Sequence, residues 1–129
     1  DLLELNRQVK MVKDPVQLKR LPADSLPLGV PYSYWQSLNK YDQVATAKKL
    51  RQPILVLQGK RDYQVVMKDF EIWKTALQSS EKNKFIVYDK LNHLFLSGEG
   101  KSTPAEYQKQ GNVEEEVIRN IADWLKALH

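Results

Sequence analysis

Residues 53–65 read Pro-Ile-Leu-Val-Leu-Gln-Gly-Lys-Arg-Asp-Tyr-Gln-Val, an apolar run that ends in a glycine and a charged segment. Residues 54–57 are all apolar and show no alternation with polar side chains. Such a run is typical of a strand that is buried on both faces, as in a parallel sheet. The sequence therefore predicts a buried strand here, with polar side chains directly after its end.

On the C-terminal side, a helix, a second strand and a further helix are predicted in that order. Apolar residues recur with helical spacing in residues 70–77, and residues 85–88, Phe-Ile-Val-Tyr, form a second apolar run. Residues 96–111 indicate a long loop, and residues 112–128 indicate a helix. The order strand, helix, strand is a βαβ unit, and such units build parallel sheets. We therefore predict an α/β fold with a partial, mainly parallel sheet and helices packed on it.

The last predicted helix has its own start signal and an apolar stripe. Asn112 can cap its first turn, and Glu115 can reach back as the partner in a capping box. The apolar residues at helical spacing are Val117, Ile121, Trp124 and Leu128. We expect this stripe to face the core.

The N-terminal part is predicted to be helical at both ends and irregular between them. Residues 2–13 carry apolar side chains at spacings of three and four, which indicates a short amphipathic helix. Residues 33–50 indicate one or two short helices. Repeated prolines interrupt residues 14–32, so we expect that segment to be mostly irregular.

Two residues with catalytic chemistry follow the two predicted strands. Asp62 comes a few residues after the first strand, and His93 comes a few residues after the second. Functional groups in open α/β sheets collect at the carboxyl ends of the strands, and adjacent parallel strands lie only about 4.8 Å apart. A carboxylate beside an imidazole fixes the histidine tautomer and stabilises the imidazolium. The order acid then histidine, one βα unit apart, is the second half of a Ser…Asp…His order.

Both residues also have an ordinary structural interpretation. Aspartate is common in turns, and a lone histidine is often a hydrogen-bonded loop residue. Asp89 is a reserve candidate for the acid, although it lies close to the end of its own strand. The strand, turn and helix context of Asp62 and His93 favours the catalytic interpretation.

The same segments resemble the α/β-hydrolase superfamily. Residues 53–65 look like the segment around the catalytic acid in its bacterial esterase and serine-aminopeptidase-like branch. Residues 91–95, Leu-Asn-His-Leu-Phe, look like the histidine turn of that branch. The loop over residues 98–113 and the ending Ile-Ala-Asp-Trp-Leu at residues 121–125 are similar as well. The resemblance implies a partial α/β-hydrolase fold that holds the last parallel strands of the sheet.

By position, the resemblance makes Asp62 the acid and His93 the base of a Ser-His-Asp triad. It implies a hydrolase that acts on small carboxylic esters, or less readily on amides or peptides, without a cofactor. The chain contains no Gly-x-Ser-x-Gly elbow, so the nucleophile and the oxyanion-hole donors are expected upstream, outside this chain. We therefore expect the C-terminal half of a longer enzyme, inactive by itself.

The resemblance also divides the chain into two parts. Residues 1–40 are similar to the distal part of a helical lid over the active site, and residues 41–129 to the C-terminal part of the core. Tyr32, Tyr34 and Trp35 resemble the aromatic stretch that leads back to the sheet. Tyr34 and Trp35 are also candidates for the wall of an acyl or aromatic substrate pocket. The alternative for these two residues is that they belong to a hydrophobic core.

Composition excludes several other classes of function. The net charge of +4 comes from scattered basic residues, and no basic patch or motif indicates nucleic-acid binding. The absence of cysteine excludes disulfides, thiolate metal sites and a cysteine nucleophile. No set of histidines and carboxylates has metal-site spacing, and no window reaches eighteen apolar residues, so neither a metal site nor a membrane span is predicted. The cellular compartment stays open.

Two further expectations concern the chain as a unit. Two parallel strands alone make an unstable sheet, and an unpaired strand edge beside apolar surface favours self-association. A second function also stays open, namely a non-catalytic module that uses the same fold for binding or assembly. A Gly-x-Ser-x-Gly motif upstream would favour the enzyme, and its replacement would favour the module.

Overall fold

The computed structural model describes residues 2–128, which divide into two compact units between Gln43 and Val44. Asp1 and His129, the outermost residues of the two predicted parts, lie outside the described residues. The division lies close to the predicted boundary after residue 40. The assignment of the first part to a lid stays a prediction.

The N-terminal unit consists of short helices and turns around a small core. Its helices and 3-10 turns are α1 (Leu2–Lys13), α2 (Pro15–Arg20), the turns Ala23–Ser25 and Pro27–Gly29, and α3 (Tyr32–Lys40). The core consists of Met11, Leu18, Leu26 and Trp35. The Asn39 side chain donates to the Val12 carbonyl oxygen at 2.7 Å, which ties α3 to α1.

Helix α2 corrects the prediction that residues 14–32 are mostly irregular. Pro15 occupies the first helical position, where a backbone N–H is not needed. One carboxylate oxygen of Asp14 accepts hydrogen bonds from the N–H groups of Val16 and Gln17, at 3.0 and 3.1 Å. The proline therefore starts a capped helix instead of breaking the chain.

The C-terminal unit has an α/β architecture. Its elements are α4 (Gln43–Ala47, which begins at the division), β1 (Leu55–Gly59), α5 (Met67–Leu77), β2 (Lys84–Tyr88), the 3-10 turn Pro104–Gln108 and α6 (Glu115–Lys126). Strands β1 and β2 pair in parallel, with Leu55 opposite Lys84 and Gly59 opposite Tyr88. The predicted βαβ unit is confirmed, and each strand boundary lies within two residues of the predicted one.

One asparagine anchors the amino ends of both strands. The Asn83 side-chain oxygen accepts from the Ile54 N–H at 2.9 Å, and its amide donates to the Leu77 carbonyl oxygen at 2.8 Å. This residue therefore joins the end of α5 to the start of β1. The crossover is therefore held at the amino ends of the strands, opposite to the carboxyl ends that Asp62 and His93 follow.

Helix α6 begins later than its sequence signals predict. It starts at Glu115 and has Glu114 at the N-cap without a side-chain capping bond, so the predicted capping box of Asn112 is wrong. The N–H of Glu114 donates to the Phe95 carbonyl oxygen at 3.1 Å instead. Because this tertiary hydrogen bond holds Glu114 at the N-cap, α6 begins at the next residue, Glu115.

The predicted apolar stripe of α6 is only partly buried. Val117 is 1% exposed and packs with Tyr88 and Leu91, whereas Ile121 is 37% and Leu128 41% exposed. Along most of its length the helix therefore shows apolar side chains at the surface. Within residues 2–128, β1 and β2 pair only with each other, so each strand keeps one unpaired edge.

We predict that this chain self-associates in solution. Unpaired strand edges and exposed apolar side chains both favour pairing with a second copy. Sedimentation velocity at tens of micromolar should show a dimer or higher oligomer, and Ile118→Lys, at a position that is 57% exposed on α6, should shift the distribution toward the monomer. A wild-type chain that sediments as a clean monomer would contradict this expectation.

Candidate active site

The acid turn, residues 59–66, follows β1 and stays attached to the end of β2. The N–H of Lys60 donates to the Tyr88 carbonyl oxygen at 2.9 Å, and that of Arg61 to the Leu91 carbonyl oxygen at 3.0 Å. The Asp62 Oδ1 atom accepts from the N–H groups of Gln64 and Val65, at 2.8 and 2.9 Å. One oxygen of this carboxylate is therefore used to hold the turn.

A buried glutamine closes the same turn. Gln58 is 6% exposed, and its amide nitrogen donates to the carbonyl oxygens of Gly59 and Val65, at 3.0 and 2.8 Å. Sequence analysis missed this role. The available signal was a polar side chain directly after an apolar run, since a buried polar group needs partners.

The histidine turn, residues 91–97, is a small hairpin with His93 at its tip. The N–H of Asn92 donates to the Leu96 carbonyl oxygen at 3.1 Å, and the N–H of Phe95 to the Asn92 carbonyl oxygen at 3.0 Å. Leu91 and Ser97 form an antiparallel bridge at its base. The hairpin therefore presents His93 as a central residue of a tight turn.

Phe95 is the strained residue of this hairpin. Its φ of 57° lies in the left-handed region, which costs a residue other than glycine on the order of 1 kcal/mol. Its ring packs edge-to-face on Tyr88, with centroids 6.0 Å apart. The carbonyl oxygen of Phe95 also accepts from Glu114, so packing and hydrogen bonding together offset the strain.

The structure brings Asp62 and His93 together at the carboxyl ends of the two strands. Asp62 Oδ2 lies 2.7 Å from His93 Nδ1. The Asp62 side chain is 6% exposed, whereas that of His93 is 39% exposed. The acid is therefore shielded while the imidazole keeps access to solvent.

Hydrogen bonding keeps the Asp62 carboxyl ionised. Burial raises its pKa, but the bonds from the Val65 N–H, from His93 and from the Gln64 N–H together outweigh burial and hold the pKa below its usual value. An ionised carboxylate only accepts hydrogen bonds, so Nδ1 of the neutral imidazole is the donor. That tautomer leaves the lone pair on Nε2, where the ring can take up a proton.

The reserve candidate Asp89 takes no part in this pair. Its Oδ1 atom lies 2.7 Å from Lys60 Nζ, and its side chain is 76% exposed. Asp89 directly follows β2, as the sequence indicated. From that position its side chain contacts Lys60, which directly follows β1. Asp62 is the carboxylate that contacts His93.

Three further residues join the turns that carry the pair, and they were not predicted. Arg61, Asn92 and Glu106 form a hydrogen-bonded group that joins the acid turn to the histidine turn and the loop after it. Arg61 and Asn92 directly precede Asp62 and His93, and this adjacency was the available signal. The sequence contained no signal for Glu106, because its partners lie 14 and 45 residues away.

Tyr34 and Trp35 lie in the N-terminal unit. Trp35 is 9% exposed and belongs to the core of that unit, as the alternative interpretation expects. It also lines an apolar cavity of about 310 Å³ together with side chains of α1. Tyr34 is 52% exposed, and its ring contacts Trp35 edge-to-face. A substrate-binding role for the two residues stays a prediction.

Residues 25–127 match the model of the prolyl oligopeptidase family. The chain belongs to this family. The predicted membership in the α/β-hydrolase superfamily is thereby confirmed, and the partial parallel sheet with packed helices is a part of that fold.

A curated relative adds a functional comparison. Esterase EstD from Thermotoga maritima is 46% identical to this chain over 114 residues. The match covers 88% of this chain and 28% of the esterase, so the chain spans less than a third of the length of that relative. No solved structure matches the chain significantly.

Residues 2–128 show neither a membrane-spanning helix nor a cluster of metal ligands. No helix in this range is both long enough and apolar enough to span a membrane. In the same range, no group of three or more His, Asp or Glu side chains has a geometry that could hold a metal ion.

We predict that Gly59→Ala destabilises the site, because a Cβ atom at this position would collide with the carbonyl oxygens of Leu91 and Asn92. The histidine hairpin must then move away from the sheet, and overpacking of this kind costs about 1–3 kcal/mol. Urea unfolding measures the loss. The control is Gly111→Ala, whose Cβ would meet only the flexible Leu96 side chain, with the nearest atom at 3.2 Å. Equal stability of both variants would contradict the close approach.

The depressed pKa of Asp62 predicts a pH-dependent contribution to stability. A carboxyl whose folded pKa is lowered stabilises the fold at pH values above its unfolded pKa of about 3.9, and this stabilisation is lost as the pH falls through the folded pKa. The difference in unfolding free energy between wild type and Asp62→Asn should therefore be full near pH 7 and shrink below about pH 4. Urea titrations across this range measure it. A difference that does not change with pH would contradict the prediction.

Proposed function

We propose that this chain carries the acid and the base of a Ser-His-Asp triad in a serine hydrolase that cleaves carboxylic esters. Asp62 is the acid, His93 is the base, and the nucleophilic serine belongs to sequence outside this chain. The observation that carries the proposal is the 2.7 Å contact between Asp62 and His93 Nδ1, which leaves Nε2 as the proton acceptor.

The proposed reaction uses His93 twice. As the serine oxygen attacks the ester carbonyl carbon, Nε2 takes the hydroxyl proton, and it then delivers that proton to the departing alcohol oxygen. Water next attacks the acyl-enzyme, with Nε2 again accepting and returning a proton. Asp62 holds the tautomer and stabilises the imidazolium in both halves, and no cofactor takes part.

Esters are the preferred substrate class in this proposal, and amides or peptides come second. The relative from Thermotoga maritima is called an esterase, which supports an ester substrate. The family description names an oligopeptidase, which keeps a peptide bond as the alternative. In the same proposal, residues 1–40 form the distal part of a lid, and Tyr34 and Trp35 contact the substrate. The apolar cavity beside Trp35 supports that part.

The test uses the full-length protein that contains this chain. His93→Ala should lower kcat for an activated short-chain ester by several orders of magnitude, and Asp62→Asn by somewhat less, since an aspartate that sets the tautomer is worth about 10⁴ in the serine-protease example. Asp89→Asn is the matched control and should retain activity, because Asp89 pairs with Lys60. The isolated chain should show no turnover that depends on His93.

Two outcomes would decide against the proposal. Full activity of the full-length His93→Ala variant would remove the triad assignment. A full-length sequence with no Gly-x-Ser-x-Gly motif after a strand, together with absent esterase activity, would favour the non-catalytic module.

A further inference from the structure

The carboxylate of Glu106 lies between the two residues that precede the candidate pair. Its Oε1 atom accepts from Arg61 Nη2 at 2.5 Å, and its Oε2 atom accepts from Asn92 Nδ2 at 3.1 Å. Ser102 Oγ donates to the same Oε2 atom at 3.3 Å. A single side chain therefore connects the residue before Asp62 with the residue before His93.

Two of the three partners of Glu106, Arg61 and Asn92, also form hydrogen bonds to the backbone. Arg61 donates to the carbonyl oxygens of Lys90, Glu99 and Gly100, at 3.4, 3.1 and 2.8 Å. The Asn92 side-chain oxygen accepts from the N–H groups of Leu94 and Leu96, at 3.0 and 3.1 Å. Arg61 thus organises the loop after the histidine hairpin, and Asn92 organises the hairpin itself.

Burial makes these contacts sensitive to a change of charge or shape. The Arg61 side chain is 7% exposed, Asn92 is 1% exposed and the Glu106 side chain is 21% exposed. A buried guanidinium needs an opposite charge, and Glu106 supplies it. The charge of Arg61 is thereby neutralised, so this arginine is not available to bind an anionic group of a substrate.

We infer that Glu106 is the positioning residue of the Asp62–His93 pair. It holds Arg61 and Asn92 at a fixed separation and so sets the distance from the Asp62 carboxylate to His93 Nδ1. Small displacements matter here, because catalytic geometry lost by about 1 Å can cost 10²-fold in rate. This inference rests on the proposed function of the pair.

The substitution Glu106→Gln tests the inference by keeping the shape of the side chain and removing one acceptor. The carboxylate accepts on both oxygens, from Arg61 on one and from Asn92 and Ser102 on the other. An amide has one oxygen, which accepts, and one NH2 group, which donates. Either Arg61, or Asn92 together with Ser102, must then face the NH2 group, which cannot accept their hydrogen bonds. The separation of the two turns should then change.

The measurements use the full-length protein and two independent readouts. The ring nitrogen signals of His93 are identified by their absence in His93→Ala. Nitrogen-15 NMR of the neutral ring should show mainly the Nδ1–H tautomer in wild type and a mixture of tautomers in Glu106→Gln. Ester hydrolysis by Glu106→Gln should show kcat lowered by about 10- to 100-fold with little change in KM.

Two controls separate positioning from general stability. Glu99→Gln changes an exposed carboxylate in the same loop, where only the backbone oxygen contacts Arg61, and should match wild type in both readouts. Leu77→Ala truncates a side chain that is 5% exposed, at the last residue of α5. It should lower the melting temperature while leaving the tautomer and kcat unchanged.

A compensating substitution gives the sharpest outcome. In the double variant Asn92→Asp with Glu106→Gln, the introduced carboxylate can accept from the introduced amide, while the amide oxygen still faces Arg61. Tautomer and kcat should recover partly. Wild-type tautomer and kcat in Glu106→Gln, alongside loss of activity in His93→Ala, would overturn the inference and leave the proposed function standing. Activity that survives in His93→Ala would instead remove the proposed function.

Discussion

Parallel pairing of β1 with β2 is the constraint on which the rest of the site depends. Because Gly59 lies opposite Tyr88, both strands end at the same end of the sheet, and the two turns that follow begin side by side. The absence of a side chain at Gly59 then lets the histidine hairpin approach the backbone of the acid turn. An antiparallel pair would have sent the two turns to opposite ends, and Asp62 could not have met His93.

The two oxygens of the Asp62 carboxylate have different partners, which reconciles two interpretations that the sequence left open. One oxygen caps the turn through Gln64 and Val65, as an ordinary turn aspartate does, and the other oxygen faces His93. A carboxylate bound in this way has little freedom to rotate, so the turn itself sets its orientation toward the imidazole. The structural role of the residue therefore supports the proposed chemical one.

Around this pair, polar groups rather than apolar packing hold the geometry. One small cluster of the C-terminal unit buries Tyr88, Leu91 and Val117 together. Above it, Gln58 closes the acid turn, and Arg61, Glu106 and Asn92 join the turns through hydrogen bonds. Hydrogen bonds have narrow distance and angle requirements, so such a network specifies positions more closely than apolar contacts do.

The sequence by itself determined the order of the strands and α-helices after residue 53, the parallel pairing, and the positions of Asp62 and His93 after the strands, because hydrophobic runs and βα order are local properties. Only the tertiary structure decided the start of α6, where the contact of Glu114 with Phe95 replaces the capping box of Asn112. It alone decided the burial of Trp35 and the joining role of Glu106, which depend on residues far apart in the chain. Contacts between such residues follow from the packing of whole elements, and no local pattern encodes them.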